Sequence, residues 1–208
     1  MAQLAMNKSE LQKQRRQLAL YERLLPSLEL KRQQLRAEAA KAERELRRLE
    51  HDLTTFKQDT ARAIPMLAAS DLDLSGLVSL KDVDIQDDNV VGVRVPALVE
   101  VELDVASYGF LARPHWVDAW QARLQEMVRL EVAINVARIR HARLEHAVKR
   151  TTQRVNLFDK VLIPNAQETI RRIQIFLADA DRAAVVRAKL AKQKHHHRAS
   201  VLELGGQP

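Results

Sequence analysis

The sequence predicts an all-α dominated fold: a long antiparallel two-helix left-handed coiled coil with a small middle region containing a short helix and a β-hairpin. Three observations predict it. In residues 1–63, Leu4, Leu11, Leu18, Leu25, Ala39, Leu46 and Leu53 recur at seven-residue spacing, with Arg32 the one charged member, and Tyr21, Leu28, Leu35, Ala42, Leu49 and Phe56 follow three residues on. In residues 114–198 the same pattern returns, with Trp120, Met127, Ile134, His141, Val148, Val155 and Leu162 in one series and Leu130, Ala137, Leu144, Thr151 and Phe158 in the other. Alternating gaps of three and four put both series on one seam of a helix. Between the arms, residues 64–113 lose the seven-residue pattern and alternate apolar with acidic residues instead. Two such arms can fold back and zip together.

The first helix is expected from Asn7 or Ser9, either of which can cap it, to about Ala63. At 1.5 Å per residue this is roughly 85 Å. Pro26 removes one backbone hydrogen bond, so a local bend is expected near Glu22–Pro26; the phase runs unbroken across it, against two separate helices. Pro65 can start a short helix through about Leu74, ended by Ser75-Gly76. Val90–Val95 and Leu98–Val105 read as two strands joined by a turn at Pro96-Ala97. A lone hairpin is marginal in water and must rest on the coil or a partner. The second helix starts near Pro114 and runs to about Lys194, interrupted at Pro164. There the apolar line moves by one position, to Ile163, Ile170, Leu177 and Ala184, which predicts a kink or local unwinding. Residues 199–208 are expected to be a disordered tail.

Composition supports long helices over a round core. Aromatics are 4% of 208 residues and charged residues 29%, with five glycines and six prolines. The absence of cysteine excludes disulfides and thiolate metal sites. No run approaches a membrane span and the first ten residues carry no signal-like apolar stretch, so a cytoplasmic protein without membrane insertion is expected. The net charge of +7 is uneven: Asp71–Asp104 carries −7, leaving +14 elsewhere. An acidic middle and basic arms suggest different partners for the two parts.

No catalytic constellation is present. Gly76, Gly92 and Gly109 are isolated and form no phosphate loop. His195-His196-His197 are adjacent on a helix and point in different directions, which suits a solvated basic tail better than a chelate. His141 reads as a seam histidine. Asp82, Asp84, Asp87 and Asp88 lack the glycine and terminal glutamate of a calcium loop and read as a solvated acidic loop or docking surface. No metal or cofactor is implied. Arg182, Arg187, Lys189, Lys192, Lys194 and Arg198 form a basic stretch without aromatics, fitting a solvated face, plain phosphate contact or an acidic protein socket. A basic coiled coil binding nucleic acid, or a structural tether, is the rival reading.

The run Arg154-Val155-Asn156-Leu157-Phe158-Asp159-Lys160-Val161-Leu162-Ile163-Pro164, followed by Thr169-Ile170, Leu177, Asp181-Arg182 and Lys189, resembles the C-terminal signature of the D subunit of V-type ATPases and ATP synthases. Lys8, Leu11, Leu18, Leu28, Lys31-Arg32 and Leu35 match its opening helix, and Val91-Gly92-Val93-Arg94-Val95-Pro96 its strand and turn. Pro26, Glu29 and the small Ala183–Val186 stretch depart from the pattern. The resemblance implies a non-catalytic rotor shaft in the central stalk, with both termini in the bore of the head. Its implied partners are the catalytic and regulatory subunits of the head, the small F subunit of the stalk, and a lower-stalk subunit linking to the membrane ring, without nucleic acid. Lys8, Lys13, Arg182, Arg187, Lys189, Lys192 and Lys194 are the expected bore contacts. The hairpin is expected to dock or regulate. The faces around Leu46–Phe56 and Val128–Ile139 are expected to meet the small stalk partner.

Overall fold

The computed structural model describes residues 6–69, 74–108 and 114–204, and of residues 68–69 and 195–204 the backbone alone. Leu4, residues 70–73 of the expected short helix, residues 205–208 of the expected tail and the side chains of His195–His197 lie outside the described residues.

The first element is α1 (Lys8–Ala63). Asn7 caps it: its Oδ1 accepts the Glu10 N–H at 2.7 Å, and its carbonyl accepts the Leu11 N–H at 3.1 Å. Its exposed faces carry ion pairs three or four residues apart, Glu38–Lys41 at 2.6 Å, Glu45–Arg48 at 2.9 Å, and Glu43–Arg47. Each such pair adds a few tenths of a kcal/mol to the helix, roughly 0.2–0.5. Pro26 lies inside α1, which continues as one helix on both sides of it. The helix ends where Pro65 disfavours α geometry for the residue before it; the Ile64 N–H still reaches the Thr60 carbonyl at 3.0 Å. Pro65–Ala69 then forms a single 3₁₀ turn, the described part of the expected short helix.

The hairpin is larger than the sequence suggests, and its turn is elsewhere. Strands β1 (Val78–Val90) and β2 (Val93–Val105) pair antiparallel, and the chain reverses at Val91-Gly92. Pro96-Ala97 is not the turn; it lies within β2, where Pro96 faces Asp87 and Ala97 faces Gln86. A proline fits here because β2 is an edge strand and its missing N–H need face no partner. The acidic stretch expected as a loop is the body of β1. Asp82 and Asp84 alternate with Val83 and Ile85, and the ladder sets Asp82 against Glu102 and Asp84 against Glu100. Irregular steps fall between Leu80 and Asp82 and between Asp84 and Ile85, which is why a strict two-residue period is not visible in the sequence.

The second arm is continuous but not uniformly α. Helix α2 (Trp116–Leu157) passes through a π-helical turn, Phe158–Leu162, into α3 (Ile163–Leu204). The Ile163 N–H bonds the Phe158 carbonyl five residues back. The expected local unwinding is this turn, and it precedes Pro164. α3 extends past Ala199, into the expected disordered tail, as far as Leu204.

The chain divides into two compact units. In the central unit (Glu29–Gln153), side-chain pairs join α1 to α2 in opposite order along the two helices: Glu50 to Arg138 at 3.4 Å, Lys57 to Glu131 at 3.1 Å, and Thr60 to Arg123 at 3.2 Å. The Arg123 guanidinium also lies 5.7 Å from the centre of the Phe56 ring. In the terminal unit (Met1–Leu28 with Arg154–Pro208), Tyr21 of α1 meets Phe158 edge to face, with ring centres 5.5 Å apart. Val155, Ala166, Ile170 and Ile173 are its buried apolar residues on the second arm.

Candidate protein-binding surfaces

Three surfaces hold the residues singled out from the sequence. The first is the docked tip of the hairpin. Leu35 and Ala42 of α1, Val95 of β2 and Leu144 of α2 form a buried cluster, and Val90, Val91 and Val93 pack onto it. Leu35 and Leu144 are each 1% exposed and Val95 0%. The turn that brings the valines there is strained: Val91 has φ 53° and Gly92 φ 78°. A β-branched residue at positive φ is a rare outlier. At Gly92 an added Cβ would stand 3.3 Å from Lys31 Nζ, so Lys31 covers the turn. Arg140 and Arg143 of α2 reach Asp88 at 3.2 Å and Asp87 at 3.8 Å, and Arg143 donates to the Arg94 carbonyl at 3.4 Å. Val91, Gly92, Val93 and Pro96 therefore sit at or beside the docked end, with Pro96 buried.

The base of the hairpin is tied separately. Gln121 Nε2 of α2 donates to the Leu77 carbonyl at 3.2 Å and to the Ala106 carbonyl at 2.9 Å, beside the Ala106 N–H that bonds Leu77 at 3.0 Å. Leu77 and Val117 are buried there. Between tip and base the acids are exposed. Lys81 bonds Glu102 at 2.9 Å, and that hydrogen bond with the Glu102 charge raises the ammonium above the ordinary lysine value, aided by Asp104 and Asp82. A raised pKa means the interaction is intact at neutral pH and lost only as the pH rises through the raised value. Leu80, Ile85 and Val99 are exposed apolar residues on the same strands. The sequence signal for β1 is the alternation of Val83 and Ile85 with Asp82 and Asp84, which the acidic-loop reading passes over.

The second surface is a cleft of about 340 Å³ between α1 and α2, lined by Glu50, Leu53, Thr54, Glu131, Ile134, Asn135 and Arg138. It falls within the faces expected to meet a small partner. Periodicity places its residues on the two seams but does not reveal the opening between them.

The third is the basic ends of the arms, all in the terminal unit. Lys8 and Lys13 are exposed on the first turns of α1, Lys13 being 3.7 Å from Glu10. Arg182 pairs with Asp179 at 3.3 Å. Arg187, Lys189, Lys192 and Lys194 are exposed on α3, with no ion pair among the described residues. Of the motif residues, Arg154, Asn156 and Pro164 are exposed and Ile163 is half-buried beside the π-turn. Arg32 is half-buried on the α1 seam, its Nε shielded without a hydrogen-bond partner, and the Nδ1 of the seam residue His141 is shielded in the same way. Among the described residues no group of three or more histidine or carboxylate side chains is placed to hold a metal ion, and no helix is long and apolar enough to cross a membrane.

The family model for the D subunit of ATP synthase matches residues 10–193. Similar proteins include the D subunit of the V-type ATP synthase of Borreliella burgdorferi, 31% identical over 192 residues, covering 92% of this chain and 95% of the relative. That of Chlamydia muridarum is 32% identical over 198 residues, covering 93% and 96%. The family match takes in most of α1, the whole hairpin, the π-turn and the basic residues of α3 as far as Lys192, so the chain belongs to the family of ATP synthase D subunits.

Proposed function

We propose that this chain is the non-catalytic central shaft of a V-type ATPase or ATP synthase. Rotating, it couples ATP hydrolysis or synthesis in the head to ion movement in the membrane part. The observation that carries this is the family match, which spans residues 10–193. The two arms form an antiparallel left-handed coiled coil, supported by the seven-residue seams and by the reversed order of the α1–α2 pairs. A paired shaft transmits torque better than a single helix.

The basic ends of the arms, Lys8 and Lys13 with Arg182, Arg187, Lys189, Lys192 and Lys194, enter the bore formed by the catalytic and regulatory subunits. Their support is charge: long exposed cations with few acidic neighbours suit acidic or carbonyl-rich walls. The α1–α2 cleft around Ile134 takes the small F subunit of the stalk, and the lower-stalk subunit joins the shaft to the membrane ring. The protein works on the cytoplasmic side, peripheral to the membrane, without binding nucleic acid. The hairpin docks or regulates, supported by its tethering at both ends while its acidic middle stays exposed.

Reconstitution tests the reading. Mixed with the head subunits of its own organism, the chain should co-elute at one copy per hexamer with sustained or raised ATP turnover. No co-elution at low salt, together with binding to duplex DNA, contradicts it.

A further inference from the structure

Successive rungs of the hairpin ladder alternate between apolar and acidic pairs. Leu80 faces Leu103, Val83 faces Val101 and Ile85 faces Leu98; between them, Asp82 faces Glu102 and Asp84 faces Glu100. Cross-strand partners share a face, and each rung along the ladder changes face. The two irregular steps leave Lys81 and Val99 without a rung, and this keeps the three apolar pairs on one face and both acidic pairs on the other.

The two strands are not equally covered. On β2, Val95 and Pro96 are buried and Leu98, Val101 and Leu103 half-buried, whereas Leu80 and Ile85 of β1 are 51% and 47% exposed. β1 is therefore the outer strand. The sheet ends on it, and among the described residues no backbone hydrogen bond from another element reaches its outer edge. The Val83 N–H is taken by the adjacent Asp82 carboxylate at 2.8 Å, a local bond of the kind an added strand displaces. A long edge strand with exposed apolar side chains invites pairing, and its charges decide with what.

Opposed carboxylates weaken a ladder. Lys81, bonded to Glu102 at 2.9 Å, offsets one of the two pairs, while Asp84 and Glu100 have no cation within ion-pair range among the described residues. A strand laid along β1 would set its side chains alternately beside Leu80, Val83 and Ile85 on one face and beside Asp82 and Asp84 on the other. A second copy of β1 would bring more carboxylates to the acidic face, so the complementary occupant is not this chain.

We propose that the outer edge of β1 takes up an extended segment of another protein in which apolar residues alternate with lysine or arginine. The apolar side chains complete the Leu80–Ile85 shelf, and the cations neutralise the opposed carboxylates. This deepens the docking role proposed for the hairpin and rests on that role, but not on rotation.

The test uses the full-length chain and three labelled peptides, with binding read by fluorescence anisotropy at physiological salt. The first alternates valine and lysine. The second has the same residues in two blocks. The third is the alternating peptide N-methylated on alternate amides, which removes the hydrogen bonds of one edge. The alternating peptide should bind at least tenfold tighter than the other two, and L80S with I85S, at two half-exposed positions, should remove that preference. Amide exchange in β1 should slow when it binds. Equal binding of the alternating and block peptides would show charge attraction alone and overturn the proposal, as would no binding, or tighter binding without added protection in β1. No head subunit is involved, so any of these results leaves the shaft reading standing.

Discussion

Val91 shows how the hairpin turn is held. It takes φ 53° because the valines on either side of the turn must reach the Leu35–Leu144 cluster. Such a conformation costs of order 1–3 kcal/mol in a non-glycine residue. Asparagine tolerates it and precedes glycine in the favoured tight hairpin turn. Val91→Asn should therefore raise unfolding stability by about 0.5–1 kcal/mol after the loss of some packing, measured by urea denaturation. A loss instead would mean that the Val91 side chain outweighs its backbone strain. Leu144→Ala, at a site 1% exposed, should cost about 2–5 kcal/mol and loosen the hairpin tip, read as faster amide exchange in β1 and β2. Neither role was legible in the sequence. Leu144 was readable as a seam residue, but its hairpin partner was not, because Val95 comes from a strand nearly fifty residues away. Val91-Gly92 lacks the asparagine or aspartate that usually marks such a turn, whereas Pro96-Ala97 carries the more familiar signal.

At the scale of the element, the two helices were legible and the hairpin only in part. Seven-residue spacing depends on one local period, and it survived Pro26 in both sequence and structure. The eight-residue step near Pro164 was visible as a phase change, but its form as a π-turn was not: a kink, a break and a π-turn leave the same trace in apolar spacing. Strand β1 was hidden because opposed carboxylates such as Asp82 and Glu102 are unfavourable as a local pair. Its pairing is sustained by tethers at the ends. Gln121→Ala removes both hydrogen bonds to the hairpin base and should cost about 1–2 kcal/mol. Exchange protection should fall first at Leu77–Leu80 and Leu103–Ala106 and remain at the tip. Uniform loss along both strands would show that tip and base are not independent. The arginine pairs at the tip are half-exposed, so each adds no more than about 1 kcal/mol and weakens with salt.

At the scale of the whole molecule, charge separates the tasks: an acidic hairpin in the middle of the chain and basic stretches towards its ends. Neutralising Arg182, Arg187, Lys189, Lys192 and Lys194 to glutamine should leave helicity unchanged, because all five are exposed. It should weaken assembly with the head at least tenfold at physiological salt, or leave ATP turnover uncoupled from ion movement. Unchanged assembly and coupling would remove these cations from the interface. The central claim is that this chain turns, and the absence of cysteine makes it directly testable. With the head fixed to glass and a bead attached through Asp84→Cys on the exposed hairpin face, ATP should drive rotation in one direction in steps that follow the threefold head. A bead that stays still while the same complexes hydrolyse ATP would contradict the account.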